Sequence, residues 1–125
     1  MAIFKDKSGR PLRAGDYIIY VIGGSTPDLK YAKVTGIKET KTAGYRAEER
    51  IQIKLRVRSC DYYKGSEEWT RPNGSIIPAR APRAVLGARD SLLEYSERVL
   101  CISGDQMPEV VLSELASFQL TKTQT

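Results

Sequence analysis

The stretch IQIKLRVRSC, residues 51–60, alternates apolar and polar side chains with almost no break. Ile51, Ile53, Leu55 and Val57 fall on one side of an extended chain, and Gln52, Lys54, Arg56 and Arg58 on the other. Successive side chains of a strand point to opposite faces, so this segment is a strand with one apolar and one cationic face. The apolar face has to meet a core. The cationic face can meet water, acidic neighbours or phosphates, and the rest of the chain bears on which.

Upstream, YIIYVI at residues 17–22 follows the turn formers Pro11 and Gly15-Asp16, and Gly23-Gly24 ends it. This is a strand by the same alternation. Gly23 to Thr26 is best read as a hairpin turn, because a phosphate-binding loop needs a helix behind it and Pro27-Asp28 leads into another strand. That strand is expected over residues 29–38, with Gly36 marking a bulge or bend. Residues 39–50 are polar and read as a long hairpin tip. By the simplest connectivity the three strands form an antiparallel meander.

Downstream, residues 61–90 are rich in proline and glycine. They read as an irregular arm that contains one short hairpin, with PNG at residues 72–74 turning the chain between Trp69 and Ile76. Order returns from Ser91, with one strand near the start of SLLEYSERVLCIS and another over residues 98–103. Pro108 suits the first turn of a helix running to about Ser117, in which Val111, Leu115 and Phe118 recur at helical spacing. One domain is expected over residues 1–125: a core of about 11–60 and 91–104, the arm, and the helix at about 108–117. The expected fold is mainly β, a small antiparallel SH3-like barrel or bent sheet with one short C-terminal helix plugging an open end. Its core should hold Ile18, Tyr20, Ile22, Ile51, Ile53, Leu55, Val57, Val111 and Leu115.

At 125 residues, with 41% hydrophobic and 28% charged residues, the chain can bury a core without metal or disulfide staples. No apolar run approaches a membrane span, and the first residues show no hydrophobic signal core, so a cytoplasmic location is expected. Cys60 and Cys101 are then expected to be reduced, although a bridge between them stays open. Charge is uneven: residues 1–89 carry 18 cations against 9 acids, and residues 90–125 carry 2 against 6.

Residues 14–37, AGDYIIYVIGG followed by LKYAKVTGI, resemble the KOW-type SH3-like barrel of ribosomal proteins and transcription elongation factors. Gly15-Asp16 matches its opening turn and Val34 its second strand, while Ala32 stands where that family has glycine. The resemblance implies a barrel-like fold and, with it, nucleic-acid binding.

The residues point the same way. Lys54, Arg56 and Arg58 project from one strand face at intervals of about 7 Å, close to the spacing of phosphates along a nucleic-acid strand. Lys33, Lys38, Arg46 and Arg50 can enlarge this patch, Tyr62 and Tyr63 can stack on bases, and Arg80 and Arg83 of the arm can bind phosphate. Against this stands a plain solvated face, paired with Glu39, Glu48 or Glu49 across the hairpin. The chain has no histidine, and its two cysteines are too far apart in sequence for a zinc motif, so no catalytic site, metal or cofactor is expected. The expected function is a non-enzymatic module binding nucleic acid. The alternatives are an adaptor or inhibitor for an acidic protein surface, and a self-assembling homo-oligomer, similar in size to the small accessory proteins of tailed phages.

Overall fold

The computed structural model describes residues 3–23, 28–43 and 49–118. Seven strands and one helix follow in order: β1 Tyr17–Ile22, β2 Asp28–Ala43, β3 Glu49–Tyr63, β4 Trp69–Thr70, β5 Ile76–Ile77, β6 Arg83–Leu93, β7 Val99–Ile102 and α1 Glu109–Ser117. Five strands form one antiparallel sheet in the order β6-β3-β2-β1-β7, and β4 and β5 form a separate hairpin. The meander β1-β2-β3 is as expected. Gly36 sits where the β2–β3 register shifts, the anticipated bulge. The Gly15 turn is also present: with φ +99 it occupies the left-handed region, and its N–H donates to the Val34 carbonyl at 2.7 Å. Gly15→Ala should therefore cost about 1 kcal/mol, measurable by urea unfolding.

The sheet curls without closing into a barrel, so the bent sheet is the form adopted. A 3-10 turn at Ser96–Arg98 carries the chain from β6 on one edge to β7 on the other. The curl brings the ends of β6 and β1, two strands apart in the sheet, to the walls of one cleft.

Each face of the sheet has its own core. On the inner face Ile18, Tyr20, Ala32, Val34, Leu55, Val57 and Val99 pack with Phe4 and Leu12 of the N-terminal segment. On the opposite face Val111, Leu115 and Met107 pack on Cys60, with Tyr17, Tyr31, Leu86 and Ile102 around them. The helix thus lies flat on the sheet and does not plug an end. Arg58 and Cys60 fall on the same side of β3 by alternation, so the cationic face of the opening stretch runs under the helix. Two expected core residues are exposed. Ile22 lies beyond the last β1–β7 pair, Tyr20 with Val99, and Ile51 lies where β3 has left every neighbour but β2.

The expected arm splits in two. Its first part is the β4–β5 hairpin, turned at Gly74 with φ +90. Its second part is β6, an 11-residue edge strand paired with β3. The hairpin tip expected over residues 39–50 is largely strand as well, since β2 and β3 stay paired out to Ala43 and Glu49. Cys60 and Cys101 are free thiols, one on each face, so the bridge is not made.

The N-terminal segment is held by one buried acid. Asp6 Oδ1 accepts from the Ser8 N–H, the Ser8 hydroxyl and the Arg10 N–H, at 2.9, 2.7 and 2.9 Å. Its Oδ2 accepts from the Cys101 N–H at 2.8 Å, tying the segment to β7.

Candidate nucleic-acid interface

Past Leu55 on β3 and Val34 on β2, these strands pair only with each other. They form a two-stranded ribbon that projects roughly 20 Å from the sheet. Its inner side continues the core through Ile37 and Ile53 and then runs out at the exposed pair Lys41–Ile51. Its other side carries Lys38 directly opposite Lys54, with Arg56 next on the strand. Lys54 Nζ is 3.0 Å from Glu94 of the chain just beyond β6. Among the described residues neither Lys38 nor Arg56 makes a salt bridge.

Arg58 and Lys33 are already engaged. Arg58 Nε donates to Asp90 Oδ1 at 2.9 Å and Nη1 to the Gly87 carbonyl at 3.1 Å, while its guanidinium lies 4.8 Å over the Phe118 ring. Lys33 Nζ donates to the carbonyls of Leu115 and Phe118 at 3.2 and 3.0 Å, which satisfies the open end of α1. Both cations serve the helix and the β6 edge. Asp90 was invisible as a partner because it lies 32 positions away in a segment that reads as a loop.

The remaining candidates lie elsewhere. Tyr62 and Tyr63 are at the far end of β3, roughly 25–30 Å from Lys54 at strand rise. Tyr62 meets Tyr31 edge-on at 6.5 Å, and the Arg83 guanidinium lies 4.5 Å over the Tyr63 ring. A cleft of about 500 Å³ opens beside them, lined by Lys30, Tyr31, Cys60 and Asp61 among others. Lys30 and Asp61 are paired there at 3.0 Å, and this hydrogen bond raises the lysine pKa. With Asp28 also on its wall, the cleft is aromatic and carries two acids against one base. Arg80 joins Ser66 through the backbone at the base of the β4–β5 hairpin. Arg50 sits opposite Thr42 on the ribbon by its backbone, and Arg46 and Glu48 lie outside the described residues.

The structure thus brings Lys38, Lys54 and Arg56 together and sets Tyr62, Tyr63, Arg80 and Arg83 at the other end of the sheet. Helix α1, with Glu109 and Glu114, lies on the face between them. Among the described residues no cluster of His, Cys, Asp and Glu can hold a metal ion, and no helix is long and apolar enough to cross a membrane. Comparisons with family models, curated proteins and solved structures find no match for the chain.

Proposed function

We propose that the protein is a non-enzymatic, cytoplasmic module that binds nucleic acid through its phosphates, with the β2–β3 ribbon as the contacting element. The observation that carries this is the Lys38–Lys54 cross-strand pair with Arg56 beside it. Like charges directly opposite on a sheet oppose folding. Among the described residues, Glu94 offsets only one of the three. A projecting two-stranded ribbon also has the shape that a duplex major groove admits, and phosphate contacts would position it without reading sequence. The resemblance of residues 14–37 to KOW-type barrels supports the same function.

Replacing Lys38, Lys54 and Arg56 together with glutamine is the test, using fluorescence anisotropy of a labelled short duplex and a labelled single strand. Affinity should fall by roughly 10–100-fold at low salt, to a similar extent on every sequence. The slope of log affinity against log salt should become shallower by about 2–3. Stability should change by less than about 1 kcal/mol, since the three side chains are partly solvated. Arg58→Gln, in contrast, should loosen α1 and β6. Failure of the native protein to bind either strand form at low salt would overturn the proposal.

A further inference from the structure

Two apolar surfaces are left uncovered by the described residues. The first is the β4–β5 hairpin, which stands off the sheet above the Ser66–Arg80 bridge. Trp69, opposite Ile77, is 51% exposed on one face of this hairpin, and Ile76, opposite Thr70, is 62% exposed on the other. An isolated two-stranded hairpin is marginal in water, and tryptophan is a frequent anchor of protein interfaces. The second is the cleft where the curled sheet fails to close. It has a volume of about 250 Å³ and is walled by Tyr20, Val21, Ile22, Leu92, Leu93 and Tyr95. Arg98 lies at this cleft with its guanidinium 5.0 Å over the Tyr95 ring, and among the described residues it makes no salt bridge.

We propose that this cleft receives the β4–β5 hairpin of a second copy of the chain, with Trp69 as the inserted side chain. The charges match as well as the apolar surfaces. Glu67 and Glu68 immediately precede Trp69, and Arg71 follows two residues later. The cleft offers Arg98 to the acids, while its Glu94, already 3.0 Å from Lys54, is shared between that lysine and the incoming arginine. Each surface supplies what the other lacks.

The hairpin cannot fill the cleft of its own copy. The hairpin leaves the sheet between Tyr63 and Arg83, whereas the cleft lies at Leu92 and Leu93, at the opposite end of β6. At strand rise that separation is roughly 30 Å, and Trp69, which follows soon after Tyr63, reaches only about 20 Å from that point. The contact is therefore head to tail, donor hairpin into acceptor cleft, and it builds a ring if the rotation closes or an open chain if it does not. It is independent of the proposed nucleic-acid binding and forms without nucleic acid.

The test is sedimentation of nucleic-acid-free protein from low micromolar to near-millimolar concentration, with tryptophan emission recorded alongside. Trp69 is the single tryptophan, so its emission reports burial of the hairpin directly. Mass should rise with concentration while emission shifts to the blue. Trp69→Ala keeps a working cleft without its anchor, and Arg98→Glu keeps a working hairpin without its receptor. Each alone should stay monomeric and melt like the native protein, and the mixture should give a dimer holding one copy of each. Should Arg98→Glu fail to fold, E67R/E68R on the exposed hairpin takes its place, remaining monomeric alone where the native chain associates. A native chain that stays monomeric with unshifted emission overturns the proposal and leaves the cleft to a segment of another protein. Trp69→Ala assembling as the native chain does overturns it equally.

Discussion

Asp6→Ala is expected to destabilise the protein by about 2–4 kcal/mol, a large effect for a residue in the first turn of the chain. The side chain is only 4% exposed, and four donors converge on it. Removing it leaves the Cys101 N–H of edge strand β7 without its acceptor and frees the segment that brings Phe4 and Leu12 into the inner core. Asp6→Asn separates the two jobs. An amide oxygen in the Oδ1 position still accepts from Ser8 and Arg10, but an NH₂ group in the Oδ2 position faces the Cys101 N–H, donor against donor. The asparagine variant should therefore fall between native and alanine, with faster amide exchange concentrated in β7.

The pH dependence has a definite sign. Burial pushes the Asp6 carboxyl up, but the Cys101 N–H, the Ser8 hydroxyl, the Arg10 N–H and the Ser8 N–H outweigh it and hold the group below the usual aspartate value. A carboxylate with a depressed folded pKa contributes stability that is complete above its unfolded pKa of about 3.9 and is lost as pH falls through the folded value. Native protein should thus weaken on acidification below about pH 4 relative to Asp6→Asn, which has no such group to protonate. Parallel acid-unfolding curves for the two proteins would refute this account.

What the sequence discloses follows where chemistry alternates and where a turn needs a special residue. β1 is legible residue by residue because Ile18 and Tyr20 face a core while its ends carry glycines. The Gly36 bulge, the Gly74 turn and α1 are legible for similar reasons. The outer end of the ribbon, residues 39–43 and 49–50, is not, because past Ile37 and Ile53 the inner side leaves the core and runs out at the exposed Lys41–Ile51 pair. β6 escapes notice ahead of Ser91 because its register slips against β3 between Arg58 and Cys60, so RAVLGARDSLL loses its alternation near Gly87. At Gly87 a side chain would meet Ser59, its Oγ 3.0 Å from the Cβ position. Missing β6 also hid Asp90 and Glu94, and with them the partners of Arg58 and Lys54. The cationic stripe was visible as residue types. Which of its members were already committed was a tertiary fact, decided by where a later strand and the helix come to lie.

Leu115→Ala is expected to cost about 2–5 kcal/mol and to turn a protected thiol into a reactive one. Helix α1 has 9 residues, too few to persist alone in water, so its order depends on what it buries. Leu115 and Val111 are fully buried against Cys60, and Lys33 reaches up from β2 to the carbonyls of Leu115 and Phe118. Truncating Leu115 leaves a cavity under the last turn, where only Lys33 and the stacking of Arg58 on Phe118 still hold it. Cys60 reports the result. Burial, followed by the charges of Glu114 and Asp61, pushes its thiol up to about 11, so in the native protein it is both covered and protonated. When the turn lifts, the thiol returns toward its unshifted value of 9.0, and its thiolate fraction near pH 8 rises by roughly 100-fold. Alkylation followed by peptide mass analysis should show Cys60 accelerated by at least that factor in Leu115→Ala. Cys101, packed on the opposite face of the sheet, should change far less. A variant in which Cys60 remains as slow as in the native chain would mean that the helix is held by something other than Leu115. Equal acceleration of both cysteines would mean that the two cores unfold together, and the sheet does not stand without its helix.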